Sequence, residues 1–149
     1  MSSWTVNFNM CTDGNSSWLG VHLFNTSAIV GSTDYPSNIP QAGIYMRIGT
    51  YFWNQSLLCN MYVNGTLAYS IPDQNNAWGG NAKNVAIKMT CSTNGTFSFY
   101  SLGNSTARFT ASLTQHSFPA ANSYHGFSSC PGLGSTTYVN NYTIQSGVY

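Results

Sequence analysis

Two runs of apolar and aromatic positions flank Asn64-Gly65 and form the clearest pattern in the chain. Residues 56–63 and 66–71 are both rich in side chains that favour strands. An Asn-Gly pair between two such runs predicts a β-hairpin with a type I′ turn, because both turn residues then adopt positive φ. A two-residue loop of this kind pairs Val63 with Thr66.

Alternation along this hairpin divides its side chains between two faces. Uninterrupted pairing would give one face these cross-strand pairs: Leu58 with Ile71, Asn60 with Tyr69, and Tyr62 with Leu67. The other face would carry Cys59, Met61 and Val63 with Ser70, Ala68 and Thr66. Cys59 is therefore expected to be a buried thiol.

A second hairpin is predicted over residues 84–102. Apolar and polar positions alternate from 84 to 91, turn residues fill 92–95, and an aromatic run follows. The N-terminal segment repeats this order, since residues 6–14 end in Asp-Gly and lead into the aromatic run 18–24. We therefore expect a hairpin there too, with one hairpin in each of two sheets.

The remaining strand candidates complete an all-β pattern. They are residues 42–52, 107–113 and 136–144, while segments 32–41, 72–83 and 114–135 are rich in Pro, Gly, Asn and Ser and are predicted to be loops. No segment predicts a helix. Roughly eight to ten strands at this spacing predict a single antiparallel β-sandwich over residues 1–149, with Greek-key or jelly-roll-like topology.

The scarcity of charge changes the range of partners. Charged residues make up 5% of the chain and the net charge is +1. We therefore expect no nucleic-acid partner, because such binding depends on clustered positive charge. No apolar run approaches the ~20 residues of a membrane span, so no membrane insertion is expected, and the N-terminus does not resemble a signal peptide.

The cysteines and the glycosylation motifs are compatible both with a reducing environment and with an oxidising, secretory one. The four cysteines, which include no CxxC pair, could be free thiols or form one or two disulfides. Seven Asn-X-Ser/Thr motifs suggest a secreted glycoprotein, but chance alone predicts about four in a chain of this composition. The motifs lie at Asn15, Asn25, Asn54, Asn64, Asn94, Asn104 and Asn141.

The inventory of reactive side chains argues against an enzyme. The only acids are Asp13, Asp34 and Asp73, none of them in an evident pair, and no Gly-x-Ser-x-Gly motif occurs. His22 lies in an apolar strand and is expected to be structural. His116 and His125 share a predicted loop, but two histidines without a third ligand are weak grounds for a metal site. We expect no metal and no cofactor.

What remains suits recognition of hydroxylated ligands, because amides and hydroxyls bind sugar hydroxyls and aromatic faces pack against sugar C–H groups. Candidate ligand-binding residues fall in the two long predicted loops: Asn75, Asn76, Trp78 and Lys83 in the first, and Tyr124 and His125 in the second. Trp78 could equally be a core residue. Arg47 could bind an acidic sugar or simply be a solvated strand residue.

The order of several short motifs resembles the globular head of adenovirus fibre proteins. Trp4-Thr5 before Asn9-Met10-Cys11 is similar to the opening strand of that head, and residues 19–31 are similar to its next strand and turn. Residues 58–78 match the spacing of its Asn-Gly hairpin and later Trp, and 135–145 are similar to its closing strand. The Phe-Met-Pro-Asn signature is missing, which indicates a divergent, compact head.

The resemblance implies a homotrimer on the virion surface that binds a host cell-surface receptor protein or glycan. It also implies assembly in a reducing compartment, with free cysteines and unused glycosylation motifs. Two other functions stay open: a secreted, lectin-like carbohydrate-binding sandwich, suggested by the seven motifs, and a subunit of an extracellular filament, suggested by low charge and many tyrosines.

Overall fold

The computed structural model describes most of the chain, namely residues 3–12, 17–26, 39–51, 56–74, 85–101, 103–116, 118, 124–131 and 137–147. These residues contain ten strands and no helix. The strands are β1 (Ser3–Thr12), β2 (Ser17–Asn25), β3 (Ile44–Tyr51), β4 (Ser56–Val63), β5 (Thr66–Gln74), β6 (Val85–Cys91), β7 (Thr96–Ser101), β8 (Phe109–Ser112), β9 (Tyr124–Pro131) and β10 (Thr137–Gly147).

The strands form two antiparallel sheets packed as a sandwich, which confirms the predicted fold class. Sheet A has the order β10-β1-β6-β7-β8, and sheet B has the order β5-β4-β3-β2-β9. Alternate side chains of both sheets face one buried cluster, as expected for period-2 strands. The intervening side chains form two outer faces.

The Asn-Gly hairpin has the predicted turn. Asn64 and Gly65 adopt φ of 48° and 80°, and Val63 pairs with Thr66. The turn is also tied to the residue before β3, since Asn64 N donates to Gly43 O and Gly43 N donates to Asn64 Oδ1, each at 2.9 Å. The turn therefore anchors β3 as well as closing β4 on β5.

The predicted register is wrong beyond Tyr62. Ala68 is an extra residue in β5, so Met61 pairs with Tyr69 and Asn60 pairs with Ser70. A bulge of this kind exchanges the faces of the side chains that follow it, here as far as a second irregularity between Leu57 and Cys59. Tyr69 consequently packs against the core, and Ser70 joins Asn60 on the outer face.

The second predicted hairpin is present, with β6 and β7 joined through residues 92–95. The predicted N-terminal hairpin is not: β1 pairs with β6 and β10, whereas β2 pairs with β3 and β9 in the other sheet. The sequence patterns of β1 and β6 are alike because the two strands are antiparallel neighbours in one sheet and face the same core. Val6 on β1 lies opposite Met89 on β6.

The predicted loop 114–135 contains a strand. β9 runs from Tyr124 to Pro131 at the edge of sheet B, and its Gly and Ser residues hid it from the sequence pattern. Small residues are tolerated because β9 pairs with β2 on one side, and Phe127 packs against the core. β5 likewise extends to Gln74, into the predicted loop 72–83.

Cys59 is a buried thiol, as predicted, and Cys91 is also buried. Burial raises the pKa of both thiols, so both are protonated at neutral pH. The side chains of Cys11 and Cys130 lie outside the described residues. No helix long and apolar enough to cross a bilayer occurs in the described ranges.

Candidate functional site

A row of polar side chains crosses the outer face of sheet B. Arg47 on β3 pairs with Asn60 on β4, and Asn60 pairs with Ser70 on β5. Their sequence neighbours Met46, Ile48, Cys59 and Met61 are buried in the core, so the three polar side chains point away from it. Ser70 Oγ donates to Asn60 Oδ1 at 2.7 Å, which orients the Asn60 amide.

A row of aromatic rings lies beside the polar row. His22, Tyr45 and Tyr62 occupy adjacent positions on β2, β3 and β4. The ring centroids of His22 and Tyr45 are 4.8 Å apart, and those of Tyr45 and Tyr62 are 5.9 Å apart at an interplanar angle of 27°. The two rows are two residues apart along each strand, or about 7 Å.

Gly20 makes room for the aromatic row. A Cβ atom at this position would lie 2.3 Å from Ser128 Oγ and 2.8 Å from Cε2 of Tyr45. Neither distance is compatible with a side chain, so glycine allows Tyr45 and Ser128 to close over β2. The close approach fixes the position of the Tyr45 ring.

His22 is a buried packing residue next to Tyr45, and its imidazole does not change charge near neutral pH. The residue is 6% exposed, and its Nε2 lies 2.8 Å from Ser128 Oγ. Burial lowers the pKa of His22 to about 4, so the imidazole is neutral at pH 7. Nδ1 is buried without a hydrogen-bond partner. The predicted structural role is thus confirmed in its burial, although one ring nitrogen is unsatisfied.

The two rows together present the groups that recognise sugars. A guanidinium donates, while an amide and a hydroxyl both donate and accept, so the polar row can match several hydroxyls of one ring. Tyr45 and Tyr62 offer an aromatic surface within one pyranose width of that row. Arg47 is the one charged residue in either row. The surface therefore suits a neutral or weakly acidic hydroxylated ligand better than a polyanion.

Of the three predicted binding residues that the structure describes, only Arg47 lies on this face. Tyr124 and His125 begin β9 instead of lying in a loop, and Tyr124 pairs with Asn25 at the far end of β2. That position is roughly 15 Å along the strand from Gly20, the partner of Arg47. The predicted residues Asn75, Asn76, Trp78 and Lys83 lie outside the described residues.

His125 has a packing role at the end of the sandwich. Its Nδ1 accepts a hydrogen bond from the backbone N–H of Phe24 at 3.2 Å, and its ring meets that of Phe24 edge-on. Burial lowers the pKa of His125. His116 stacks on Phe118, which in turn stacks on Phe24. No cluster of three metal-binding side chains occurs within the described ranges.

Sequence reasoning missed most of this face. The usable signal was the alternation that separates Asn60 and Tyr62 from the apolar positions of β4, together with the same spacing of Tyr45 and Arg47 on β3. Ser70 carried no signal, because the bulge at Ala68 decides which face it joins. Gly20 acquires its role only through the neighbouring strands.

Comparison with known proteins adds a fold likeness. No protein-family model and no curated protein matches the chain. Among solved structures, the chain is similar to sheep galectin-11 in complex with glycerol, with a TM-score of 0.51 and 11% sequence identity. The match covers 97% of this chain and 95% of the galectin chain. At this identity the likeness shows a shared β-sandwich fold.

Proposed function

We propose that the chain is a non-enzymatic, carbohydrate-binding recognition domain that uses the outer face of sheet B. The observation that carries the proposal is the in-register row of Arg47, Asn60 and Ser70 beside the stacked rings of Tyr45 and Tyr62. The likeness to a galectin supports a lectin-like function, while fold alone does not determine function. The sugar ring lies on the tyrosines, and its hydroxyls bind the polar row.

A glycan array followed by calorimetry with the best neutral glycan tests the proposal. Tyr62→Ala removes part of the aromatic surface, and Asn60→Ala removes the central amide. Each should weaken binding about tenfold, which corresponds to roughly 1.4 kcal/mol. Thr90→Ala on the outer face of sheet A is the matched control and should bind as the unaltered chain does. Failure to retain any glycan, or equal binding by Tyr62→Ala, would overturn the proposal.

A viral attachment head is a second proposal, supported by the ordered motifs that resemble fibre heads. The structural observation that favours assembly is the position of β10 at the edge of sheet A, with Tyr138 59% exposed on its outer side and Ile144 40% exposed on its core side. An edge strand with exposed hydrophobic side chains offers a surface for contact between subunits. Light scattering should give the mass of a trimer in this case. A stable monomer at micromolar concentration would rule the trimeric head out.

A further inference from the structure

A depression of about 430 Å³ lies on the outer face of sheet A, on the opposite side of the sandwich from the proposed site. Its volume falls in the range of small-ligand pockets. The residues that carry its chemistry are Asn7, Asn9, Ala86, Lys88, Tyr100 and Asn104. None of the residues that line it is acidic.

Strand register explains how the depression forms. Lys88 on β6 lies between Asn7 on β1 and Tyr100 on β7. Ala86, two residues earlier on the same face, lies beside Asn9. Its small side chain leaves a gap that a longer one would fill.

The walls hold their polar groups in place. Lys88 Nζ lies over the Tyr100 ring, 5.3 Å from its centroid, in a cation–π contact that restrains the ammonium group at the edge of the depression. Asn7 Nδ2 donates to Thr143 Oγ1 at 3.4 Å. Asn7 and Lys88 are thus both restrained before any ligand arrives.

Segments of irregular backbone border the depression on two sides. On β10, pairing with β1 is interrupted between Asn7 and Asn9, and Asn141 takes a positive φ of 55° at this irregularity. On the other side, Gly103 takes φ of 68° and Asn104 N donates to Ser101 O. Asn141 and Asn104 therefore flank one opening.

We infer that this depression binds a carboxylated sugar unit, independently of the site on sheet B. The single ammonium of Lys88 matches a single carboxylate, and charge-assisted hydrogen bonds of this type are the stronger ones. The side-chain amides match the remaining hydroxyls, and Tyr100 offers a ring face. A phosphate group would be served better by several cations or backbone N–H groups than by amides.

NMR titration of the ¹⁵N-labelled chain with methyl β-glucuronide tests the inference. The chain should be made in bacteria, because Asn104 and Asn141 both begin Asn-X-Ser/Thr motifs and an attached glycan would crowd the opening. Backbone signals of β1 and β6 near Asn7 and Lys88 should shift, and methyl β-glucoside, which lacks the carboxylate, should bind at least about tenfold more weakly.

Two variants localise the binding. Lys88→Gln removes the charge, and Ala86→Leu fills the gap while keeping Lys88; both positions are exposed, so neither change should affect folding. Each should weaken glucuronide binding about tenfold or more, while Thr110→Ala, at an exposed position on β8 that belongs to neither site, should leave it unchanged. Equal affinity for glucuronide and glucoside, undiminished binding by Lys88→Gln, or no shift at millimolar glucuronide would overturn the inference. Glycan binding lost in Tyr62→Ala and retained in Lys88→Gln belongs to the sheet B site.

Discussion

At the scale of single residues, His22 is a buried histidine whose pKa lies well below its ordinary value. Its folded-state pKa is about 4, against an ordinary value of 6.5. The unfolded chain therefore binds the proton more readily, and the stabilising effect of neutral His22 is complete above pH 6.5 and is lost as pH falls toward 4. The chain has three aspartates and no glutamate, so few carboxylates titrate in the same window.

We expect the unfolding temperature to fall between pH 6.5 and pH 4, measured by circular dichroism. Each unit of pKa difference between the folded and unfolded states corresponds to about 1.4 kcal/mol. His22→Gln should reduce the slope. His125→Gln should also reduce it, because burial lowers the pKa of His125 in the same direction, and both substitutions together should reduce it further. A flat profile in the unaltered chain would contradict this account.

Individual residues were predictable where local alternation decides their environment. Cys59 follows from the apolar positions two residues apart on β4, and its burial is confirmed. Ser70 was not predictable, because one extra residue upstream exchanges the two faces of β5. The unsatisfied Nδ1 of His22 depends on β9 and β3, which no local pattern relates to β2.

At the scale of elements, the turns that join neighbouring strands depend on left-handed backbone. Gly95 closes β6 on β7 with φ of 81°, and Gly103 follows β7 with φ of 68°. An added Cβ at Gly95 would lie 2.9 Å from Thr114 Cγ2 and 3.2 Å from Thr114 N, whereas one at Gly103 would meet nothing within 4 Å. Comparing the two glycines therefore distinguishes the cost of backbone strain, which both positions share, from the cost of a steric clash, which only Gly95 adds.

Gly103→Ala should lower the free energy of unfolding by about 1–2 kcal/mol, the cost of left-handed backbone in an L-residue. Gly95→Ala should cost more, because the backbone of Thr114 cannot move aside as a flexible side chain would. Urea denaturation of both variants measures the difference. Equal losses would mean that residues 92–96 relax around the added methyl group.

Elements were predictable where turn chemistry is strong, and less so where strands are built from small residues. Asn64-Gly65 defines its hairpin because both residues take positive φ. β9 escaped prediction because its Gly126, Ser128 and Ser129 resemble loop residues, and its strand conformation is supported by pairing with β2. Tertiary context decides such segments more than their own propensities do.

At the scale of the whole molecule, aromatic contacts join the two sheets at both edges of the sandwich. Tyr69 on β5 stacks on Phe109 of β8, with ring centroids 4.2 Å apart and an interplanar angle of 8°. At the other edge, Phe127 on β9 meets Tyr142 of β10 edge-on at 5.0 Å. Each contact joins an edge strand of one sheet to an edge strand of the other.

A double-mutant cycle should reveal the first of these contacts. Tyr69→Leu and Phe109→Leu should each destabilise the fold, with a coupling of about 0.5–1.5 kcal/mol, the range for aromatic pairs. Pairing Tyr69→Leu with Phe8→Leu is the control, because Phe8 contacts Phe127 near the opposite edge. That pair should be additive within about 0.5 kcal/mol. Additive effects for Tyr69 and Phe109 would contradict a joining role for the stack.

The fold class was predictable from alternation and turn residues, while the assignment of strands to sheets was not. β1 and β2 are consecutive and carry a hairpin-like pattern, yet they lie in different sheets. Sheet membership depends on which apolar faces meet across the core, a property of the whole chain. The candidate site was not predictable from the sequence for the same reason, because its two rows combine residues from several strands of sheet B.

The two asparagine-glycine turns also bear on how the protein ages. In such dipeptides the glycine nitrogen can attack the asparagine side-chain carbonyl, releasing ammonia and leaving a succinimide that hydrolyses to aspartate or isoaspartate. Here Asn64 Oδ1 accepts from Gly43 N and Asn94 Oδ1 accepts from Thr96 N, which restrains both amides. Deamidation should therefore be slow in the native protein and faster in unfolded chains, and each event would add a negative charge to a molecule with three acidic side chains.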